Sequence, residues 1–197
     1  SVFNEGTRSC CKLRVLLLLP ELPEVETVRK GLENLLEDFH INKIEVLKER
    51  SIASIGGSKH FIYNVQNSYL RSWDRRGKYL IGSLNSRKKD KKGYLVIHLR
   101  MTGQFKIINK EIQPCSHTRV RFLNKDGKEL RFIDIRNFGQ MWFVPINKTP
   151  SEIVNGLKRL GPEPFSKSFN SIYLENYLKN KTRSIKSALL DQSTVAG

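Results

Sequence analysis

Basic side chains that could bind phosphate are concentrated in one stretch of this 197-residue sequence, residues 71–92. Nine cations stand there against two carboxylates. Arg75, Arg76 and Lys78 lie within a strand pattern that contains aromatic residues, which favours phosphate contact. The run at residues 87–92 lies between two strand patterns, where a solvent-exposed turn is the simpler interpretation. Electrostatic binding of a polyanion is therefore the first chemistry that these residues indicate.

The whole composition indicates the same kind of partner. The chain has 35 Lys+Arg against 19 Asp+Glu, a formal net charge of +16. Such an excess favours a polyanionic partner, and nucleic acid is the leading candidate. With 39% hydrophobic and 27% charged residues, the chain can bury a core, which excludes charge-rich disorder.

Membrane spans, secretion signals and disulfides are not predicted. The longest apolar run, residues 15–19, is five residues long, which is too short for a membrane span. No small-residue cleavage site follows it, so a signal peptide is not expected. Cys10 and Cys11 are adjacent and Cys115 stands alone, which predicts reduced thiols and a cytoplasmic protein.

Residues 20–26 begin a helix in an unusual way, with two prolines and three glutamates in a basic chain. Apolar residues recur at helical spacing from there: Leu22, Val25, Val28, Leu32, Leu35 and Phe39. Pro23 suits the first turn, and Glu24 complements the helix dipole. Glu26 and Lys30 are predicted to pair across one turn. On residue types alone, this segment is a helix N-terminal cap with no implied catalytic role.

Short strand patterns follow the helix up to about residue 145. They cover residues 41–47, 69–73, 79–84, 94–99, 104–108, 119–123, 129–135 and 141–144. The residues Asn124-Lys125-Asp126-Gly127 predict a hairpin turn. This order of elements predicts an α+β fold in which an N-terminal helix accompanies an antiparallel two-sheet β-sandwich.

Helical patterns replace the strands after Pro150. They cover residues 152–160, 172–178 and about 184–190. The sequence Gly161-Pro162-Glu163-Pro164 has the character of a linker. We therefore predict three parts. Residues 1–19 are an extension without periodicity, residues 20–149 form a sandwich domain, and residues 150–197 are a linker with the truncated start of a helical domain. The folded part is predicted to begin at Leu19.

Six motifs in this chain resemble the bacterial formamidopyrimidine-DNA glycosylases, called Fpg or MutM. The first, PELPEVET at residues 20–27, is the start of that family's mature chains. The others are RRGKYL at 75–80, HLRMTG at 98–103, DIRNFG at 134–139, LGPEP at 160–164 and IKSALLDQ at 185–192. They keep the family's order and spacing, and the chain is identified as a member. The first motif favours this branch over the endonuclease VIII type, which opens with PEGPE.

The resemblance implies a base-excision repair enzyme, a DNA glycosylase and AP lyase that removes 8-oxoguanine and formamidopyrimidines from duplex DNA. Pro20 is the implied nucleophile: its secondary amine attacks C1′, expels the base and forms an iminium that permits β,δ-elimination. Glu21 is the implied acid that protonates the sugar as its ring opens. Glu24 is implied to position the nucleophile and the helix, and Lys78 to hold a phosphate beside the lesion.

The resemblance also implies residues that fill the void left by an extruded nucleotide. Met101 and Phe138 can wedge between base steps, and the Arg136 guanidinium can hydrogen-bond to the orphaned cytosine. Without the resemblance, Met101 would be interpreted as a core residue.

Three further positions are assigned to DNA binding by the same motifs. His98 is implied to contact phosphate, with a satisfied buried histidine as the alternative. Asn137 stands where some relatives have a phosphate-binding arginine, so that contact is lost or replaced. Lys186 matches a lysine near the lesion pocket, with a helix-surface lysine as the alternative.

One departure from the family pattern concerns the nucleophile. Pro20 is preceded by nineteen residues, and an internal proline nitrogen is an amide that cannot form an iminium. We expect this chain as written to be inactive and the active enzyme to begin at Pro20. Leu19 would then mark a noncanonical start codon, or residues 1–19 would be translated upstream sequence.

The other departure concerns metal binding. The family continues with the rest of a helix-two-turn-helix module and a four-cysteine zinc finger. The three cysteines of this chain do not match that finger, so we expect no metal in this chain and one zinc ion in the full-length protein. The expected enzyme is a monomer that clamps damaged double-stranded DNA, cytoplasmic and nucleoid-associated.

Two alternatives stay open on the sequence. A noncatalytic nucleic-acid-binding module would keep the basic groove without the free amine. An endonuclease VIII-like enzyme would prefer oxidised pyrimidines. The retained Glu21, Lys78 and void-filling residues favour the glycosylase, because binding alone does not need an acid beside a proline.

Overall fold

The computed structural model describes residues 2–4, 20–109 and 112–197. The predictions for Cys10, Cys11 and residues 15–19 lie outside the described residues. The strands are β1 (Val2–Asn4), β2 (Phe39–Ile41), β3 (Lys43–Val46), β4 (Ser68–Arg76), β5 (Tyr79–Asn85), β6 (Lys91–His98), β7 (Gly103–Ile108), β8 (Thr118–Leu123), β9 (Glu129–Asp134) and β10 (Gln140–Pro145). The helices are α1 (Leu22–Leu35), α2 (Gly57–Val65), α3 (Pro150–Ile153), α4 (Asn155–Lys158), α5 (Ser171–Leu178) and α6 (Ile185–Leu189), with a 3-10 turn at Glu49–Ser51.

The strands form two five-stranded sheets. Sheet one has the order β1-β7-β9-β8-β3, and sheet two has the order β10-β6-β5-β4-β2. The pairs are antiparallel except that β1 runs parallel to β7. This confirms the predicted α+β sandwich. The expectation that the folded part begins at Leu19 is wrong for Val2–Asn4, because the exposed backbone of an edge strand can pair with any extended segment.

Helix α1 is held on the sandwich by a bulge in β4. Val25, Val28 and Leu32 are buried in the core between the sheets. The register of β4 against β5 shifts between Leu70 and Trp73. At this bulge, the Trp73 amide donates to the Glu33 carboxylate at 2.9 Å, and Arg29 donates to the Trp73 carbonyl at 3.0 Å. Helix side chains thus satisfy backbone groups at the bulge, and this fixes the position of α1 against β4.

Two of the predicted element boundaries are wrong. The predicted helical stripe of apolar residues runs to Phe39, but α1 ends at Leu35 and Phe39 lies in β2. Asp38 has a positive φ of 52°, which turns the chain between them. The predicted strand at 41–47 is two strands, because β2 pairs in sheet two and β3 pairs in sheet one. The pattern also missed α2, in which only Phe61 and Val65 are buried.

A second, smaller core covers the outer face of sheet two. It consists of Tyr79, Val96, Val144, Val154 and Leu157. The predicted helix at 152–160 is interrupted because Val154 is extended, with φ −102° and ψ 98°, and is buried in this cluster. Helices α3 and α4 therefore pack on the sheet as two short segments.

Gly156 in α4 packs directly against the Tyr79 hydroxyl. A Cβ at this position would lie 1.8 Å from that oxygen. We expect Gly156→Ala to lower the free energy of unfolding by about 1–3 kcal/mol, the usual cost of overpacking. Urea unfolding followed by circular dichroism measures it. Tyr79→Phe in the same chain removes the clashing hydroxyl and should recover part of the loss; an unchanged unfolding midpoint in the single variant would refute the contact.

Candidate active site and nucleic-acid interface

Two of the predicted catalytic side chains meet at the beginning of α1. Glu21 occupies the N-cap position, but its carboxylate makes no capping hydrogen bond. It instead forms an ion pair with the Lys78 ammonium, which lies 57 positions away in the sequence. Lys78 follows Gly77 in the tight turn between β4 and β5, where Gly77 has φ +54°. Pro20 precedes Glu21, so the predicted nucleophile, acid and phosphate-binding lysine lie in one region.

The turn that carries Lys78 is held by Glu163. One carboxylate oxygen of Glu163 accepts from the Gly77 amide at 2.7 Å and from Arg76 at 2.9 Å. The other accepts from Arg75 at 2.8 Å. Both guanidinium groups that the sequence assigned to phosphate are therefore bound to protein carboxylates. Their role in this structure is to position the turn and the segment of Glu163.

Arg75 also reaches α1. Its Nε lies 2.9 Å from the Glu26 carboxylate, which pairs with Arg29 as well and not with Lys30 as predicted. The hydrogen bond from Arg29, opposed by burial and assisted by Arg75, holds the pKa of Glu26 below its ordinary value. Arg75 thus joins the first turns of α1 to Glu163 across the β4–β5 turn.

Glu24 lies in the first turn of α1, and its environment differs from that of Glu21. The residue is half-buried, and its Oε2 is shielded from solvent with no hydrogen-bond partner among the described residues. Buried polar atoms in folded proteins normally have a partner. An unsatisfied carboxylate oxygen near Pro20 and Glu21 is able to accept a hydrogen bond or a proton.

His98 lies at the end of β6 in a cleft of about 450 Å³. The cleft is also lined by Lys78, Arg100 and Arg159. Burial, with the positive charges of Arg100 and Lys78, lowers the pKa of His98 to about 3, so the ring is neutral at pH 7. Its Nδ1 accepts the Arg100 amide at 3.0 Å, which leaves the proton on Nε2. His98 is therefore both a satisfied histidine and a neutral N–H donor.

The predicted void-filling residues lie on two neighbouring loops. Met101, half-buried, follows β6, and Arg136 and Phe138 follow β9. The buried Asp134 carboxylate accepts from the Thr102 hydroxyl in the first loop and from the Gly139 amide, at 2.7 Å, in the second. The Arg136 amide then donates to the Thr102 hydroxyl oxygen at 3.0 Å. One buried aspartate thus sets the relative position of both loops.

Phe138 lies close to two guanidinium groups. Its ring is 37% exposed, with Arg136 at 5.1 Å and Arg50 at 5.3 Å from the ring centroid. Asn137 adopts φ +56° and accepts a long hydrogen bond from Ser51 at 3.4 Å. These contacts hold an exposed aromatic side chain and two cations on one surface.

Lys186 is not brought into this constellation. It is exposed on α6, and it does not line the cleft that contains His98, to which the following residues Asp191, Gln192 and Ser193 contribute. The sequence interpretation also missed residues that position the site: Arg50, Thr102, Asp134 and Glu163. Thr102, Asp134 and Glu163 lie inside the quoted motifs, but their pairing partners are 32 to 88 positions away.

Two findings concern the rest of the described chain. No group of three or more His, Cys, Asp or Glu side chains in residues 20–109 and 112–197 could hold a metal ion. No helix in the same ranges is long and apolar enough to cross a membrane.

Comparison with known proteins places this geometry in a family. The model of the formamidopyrimidine-DNA glycosylase N-terminal domain matches residues 19–141. A formamidopyrimidine-DNA glycosylase of Prochlorococcus marinus strain NATL2A is 73% identical over 179 residues, and one from strain MIT 9211 is 61% identical over 183 residues. The chain belongs to the formamidopyrimidine-DNA glycosylase family.

The fold agrees with solved structures of that family. Lactococcus lactis Fpg in complex with abasic-site DNA has a TM-score of 0.78 at 30% identity, over 90% of this chain and 62% of that one. MutM in complex with DNA containing carbocyclic 8-oxo-G has a TM-score of 0.79 at 30% identity, over 90% and 64%. The two Prochlorococcus proteins are matched over 91% of this chain, which spans 64% of their length.

Proposed function

We propose that this chain carries the catalytic part of a base-excision repair DNA glycosylase and AP lyase that removes 8-oxoguanine and formamidopyrimidines from duplex DNA. The observation that carries the proposal is the meeting of Glu21 and Lys78 beside Pro20. A carboxylate and a cation next to a proline that would begin the active enzyme suit amine-based nucleophilic catalysis better than helix capping. Family membership and the DNA complexes of the structural neighbours support it.

In the proposed reaction, the secondary amine of Pro20 forms a bond to C1′ as the bond from C1′ to the base breaks. The base leaves with that electron pair and is protonated. The Glu21 carboxylate takes the proton that the Pro20 nitrogen loses after the attack and donates it to the ring oxygen, which opens the sugar and leaves an iminium at C1′. Loss of a C2′ proton then expels the 3′ phosphate, and a second elimination expels the 5′ phosphate. Water releases the sugar fragment and restores the amine.

Lys78 is proposed to bind a phosphate next to the lesion, and its ion pair with Glu21 gives this contact a second effect. A phosphate at Lys78 competes with the Glu21 carboxylate for the same ammonium group. His98 adds a neutral Nε2–H donor in the adjoining cleft, because its Nδ1 is already occupied. Together these groups position the backbone of the damaged strand against Pro20.

Met101, Arg136 and Phe138 are proposed to fill the space left by the extruded nucleotide. The Asp134 and Thr102 hydrogen bonds support this assignment, because they hold the two loops as one unit. A side chain that is inserted between two base pairs must keep its position, because the base pairs tend to stack on each other again. The Arg136 guanidinium can then offer hydrogen bonds to the unpaired cytosine.

Three further parts of the proposal concern the organisation of the chain. Residues 20–149 form the catalytic domain, residues 150–197 begin the DNA-binding helical domain, and the active enzyme begins at Pro20, one position after the family match starts. Lys186 is proposed to contact DNA from α6. The zinc ion that the resemblance implies would be held outside the described residues, and no step is assigned to it.

Borohydride trapping on abasic-site duplex DNA tests the proposal. The protein should begin at Pro20 and extend to the length of its Prochlorococcus relatives. Reduction of the iminium is expected to yield a covalent protein–DNA adduct, and Pro20→Gly with an acetylated N-terminus should yield none. Failure of the unblocked protein to form the adduct would favour a noncatalytic binding module. Comparing cleavage of 8-oxoguanine and thymine glycol duplexes separates purine from pyrimidine preference.

A further inference from the structure

A row of side chains crosses the outer face of sheet two at the end away from Lys78. His40 in β2 is opposite Tyr69 in β4, Tyr69 is opposite Asn85 in β5, and Asn85 is opposite Lys91 in β6. Residues opposite each other in antiparallel strands share a face of the sheet. The length of β5 places this row about 20 Å from the β4–β5 turn, at about 3.3 Å per residue. The row is therefore separate from the proposed active site.

The row contains a preformed aromatic stack. The His40 and Tyr69 rings are stacked with centroids 4.5 Å apart and planes inclined by 24°. The Arg71 guanidinium lies 5.1 Å from the Tyr69 centroid, and Arg71 is itself paired with Asp38. All three stacked side chains are half-buried, so the protein holds them while part of each remains accessible. Flat rings with a guanidinium are a surface on which nucleobases stack.

The β5–β6 turn places cations beside this stack. Arg87, Lys88 and Lys89 are exposed in it. Its one carboxylate, Asp90, is engaged within the turn: Ser86 donates its hydroxyl to that carboxylate at 3.3 Å, and the Ser86 amide donates to the Asp90 carbonyl at 2.8 Å. The turn is closed by its own hydrogen bonds and leaves its cations directed to solvent.

The cations and the stack belong to one surface. Burial lowers the pKa of His40, and the positive charges of Lys125 and Arg87 lower it further against the opposing effect of Asp126. Lys125 lies in the β8–β9 turn and Arg87 in the β5–β6 turn, so the positive charges that act on the ring come from two hairpin turns. The imidazole is neutral at pH 7, which suits stacking. The surface thus combines neutral aromatic rings with a positive border.

We propose that this surface binds single-stranded DNA, whose bases stack beside His40 and Tyr69 and whose phosphates contact the β5–β6 turn. A duplex cannot supply the same contacts, because its base faces are already stacked on each other. Single strands offer both open base faces and phosphates, which is the combination that this surface matches. The inference does not depend on the proposed catalytic function.

Fluorescence anisotropy with a labelled oligo(dT) of about twelve nucleotides tests the proposal on the full chain. All variants carry Lys78→Ala, which removes the proposed phosphate site of the cleft. Tyr69→Ala is expected to weaken oligo(dT) binding about 5- to 100-fold, because stacking against an aromatic ring is lost. Tyr63→Ala is the matched control, since Tyr63 is 84% exposed on α2, and it should leave affinity unchanged. Equal affinities for these two variants would overturn the proposal.

Two further variants separate stacking from charge and from misfolding. Tyr69→Phe keeps the ring and should bind as the Lys78→Ala parent does. Urea unfolding of Tyr69→Ala should show the cooperative transition of the parent, so that its loss of binding is not a loss of fold. Lys88→Ser with Lys89→Ser should reduce the slope of log affinity against log salt by about 1.4, at about 0.7 per phosphate contact of a single strand. Equal loss of duplex and oligo(dT) binding in Tyr69→Ala, or binding of oligo(rU) alone, would also overturn the proposal.

Discussion

Replacing Lys78 by alanine is expected to slow strand cleavage at 8-oxoguanine by about 10²- to 10³-fold, the usual loss when one preorganised electrostatic contact is removed. The fold should persist, because the Glu21 side chain that pairs with Lys78 is 53% exposed and the ion pair is therefore open to solvent. Such pairs contribute about 0–1 kcal/mol to stability. Single-turnover cleavage of a labelled duplex measures the rate, and urea unfolding measures the stability.

The matched control for this experiment is Lys59→Ala, which removes an exposed lysine from α2. It should leave cleavage unchanged. A phosphate contact at Lys78 also predicts that the slope of log affinity against log salt for duplex DNA becomes smaller by about 0.9 in Lys78→Ala. A slow variant with an unchanged salt slope would mean that Lys78 acts through Glu21 and not through phosphate. An unchanged cleavage rate would show that the catalytic assignment is wrong.

Replacing Glu163 by glutamine is expected to lower the free energy of unfolding at pH 7 by about 2–4 kcal/mol. Breaking a buried ion pair costs about 3–5 kcal/mol, and the Glu163 side chain is 25% exposed, which reduces that cost. The substitution removes the charge that binds Arg75, Arg76 and the Gly77 amide. Urea unfolding of both proteins measures the difference.

The same carboxylate gives this difference a pH dependence. Burial by itself raises the pKa of Glu163, but the Gly77 amide and the two guanidinium groups outweigh it and hold the pKa below the ordinary value of 4.5. The folded state therefore binds this proton less readily than the unfolded state does. The stabilisation is complete above pH 4.5 and is lost as the pH falls through the folded value.

We therefore expect the stability difference between the original protein and Glu163→Gln to be largest near pH 7 and to shrink at pH values below 4.5. The control is Glu175→Gln, in which an exposed glutamate of α5 is replaced. It should cost less than about 0.5 kcal/mol, as surface substitutions do. Equal losses for the two variants, or a difference that grows on acidification, would contradict the role given to Glu163.

Local patterns in the sequence determined the elements whose form depends on their own residues. The spacing of Val25, Val28 and Leu32 predicted the buried stripe of α1, and Asn124 to Gly127 predicted the β8–β9 turn. The motif order determined the family, which the match over residues 19–141 confirms. These features could be predicted because periodicity and turn chemistry act between residues that are near each other in the chain.

Sheet order and register decided the contacts that no local pattern contains. Lys78 meets Glu21 because β4 packs on α1, and Arg75 binds Glu163 because the segment after α4 returns to the β4–β5 turn. For the same reason Arg75 and Arg76, read from sequence as phosphate ligands, proved to be bound to carboxylates. Charge type can be read from a sequence, but the partner of a charge depends on which distant segments the fold brings together.

The break at Asn42, which sends β2 and β3 to different sheets, illustrates the same limit for secondary structure. An alternating pattern shows that a segment is extended, and it carries no information on which neighbour the strand pairs with. The sequence by itself therefore determined the family, the α1 stripe and the composition of the proposed site. Only the tertiary structure decided the neutral state of His98, the Asp134 link between the loops and the aromatic row on sheet two, because each depends on burial or on pairing across strands.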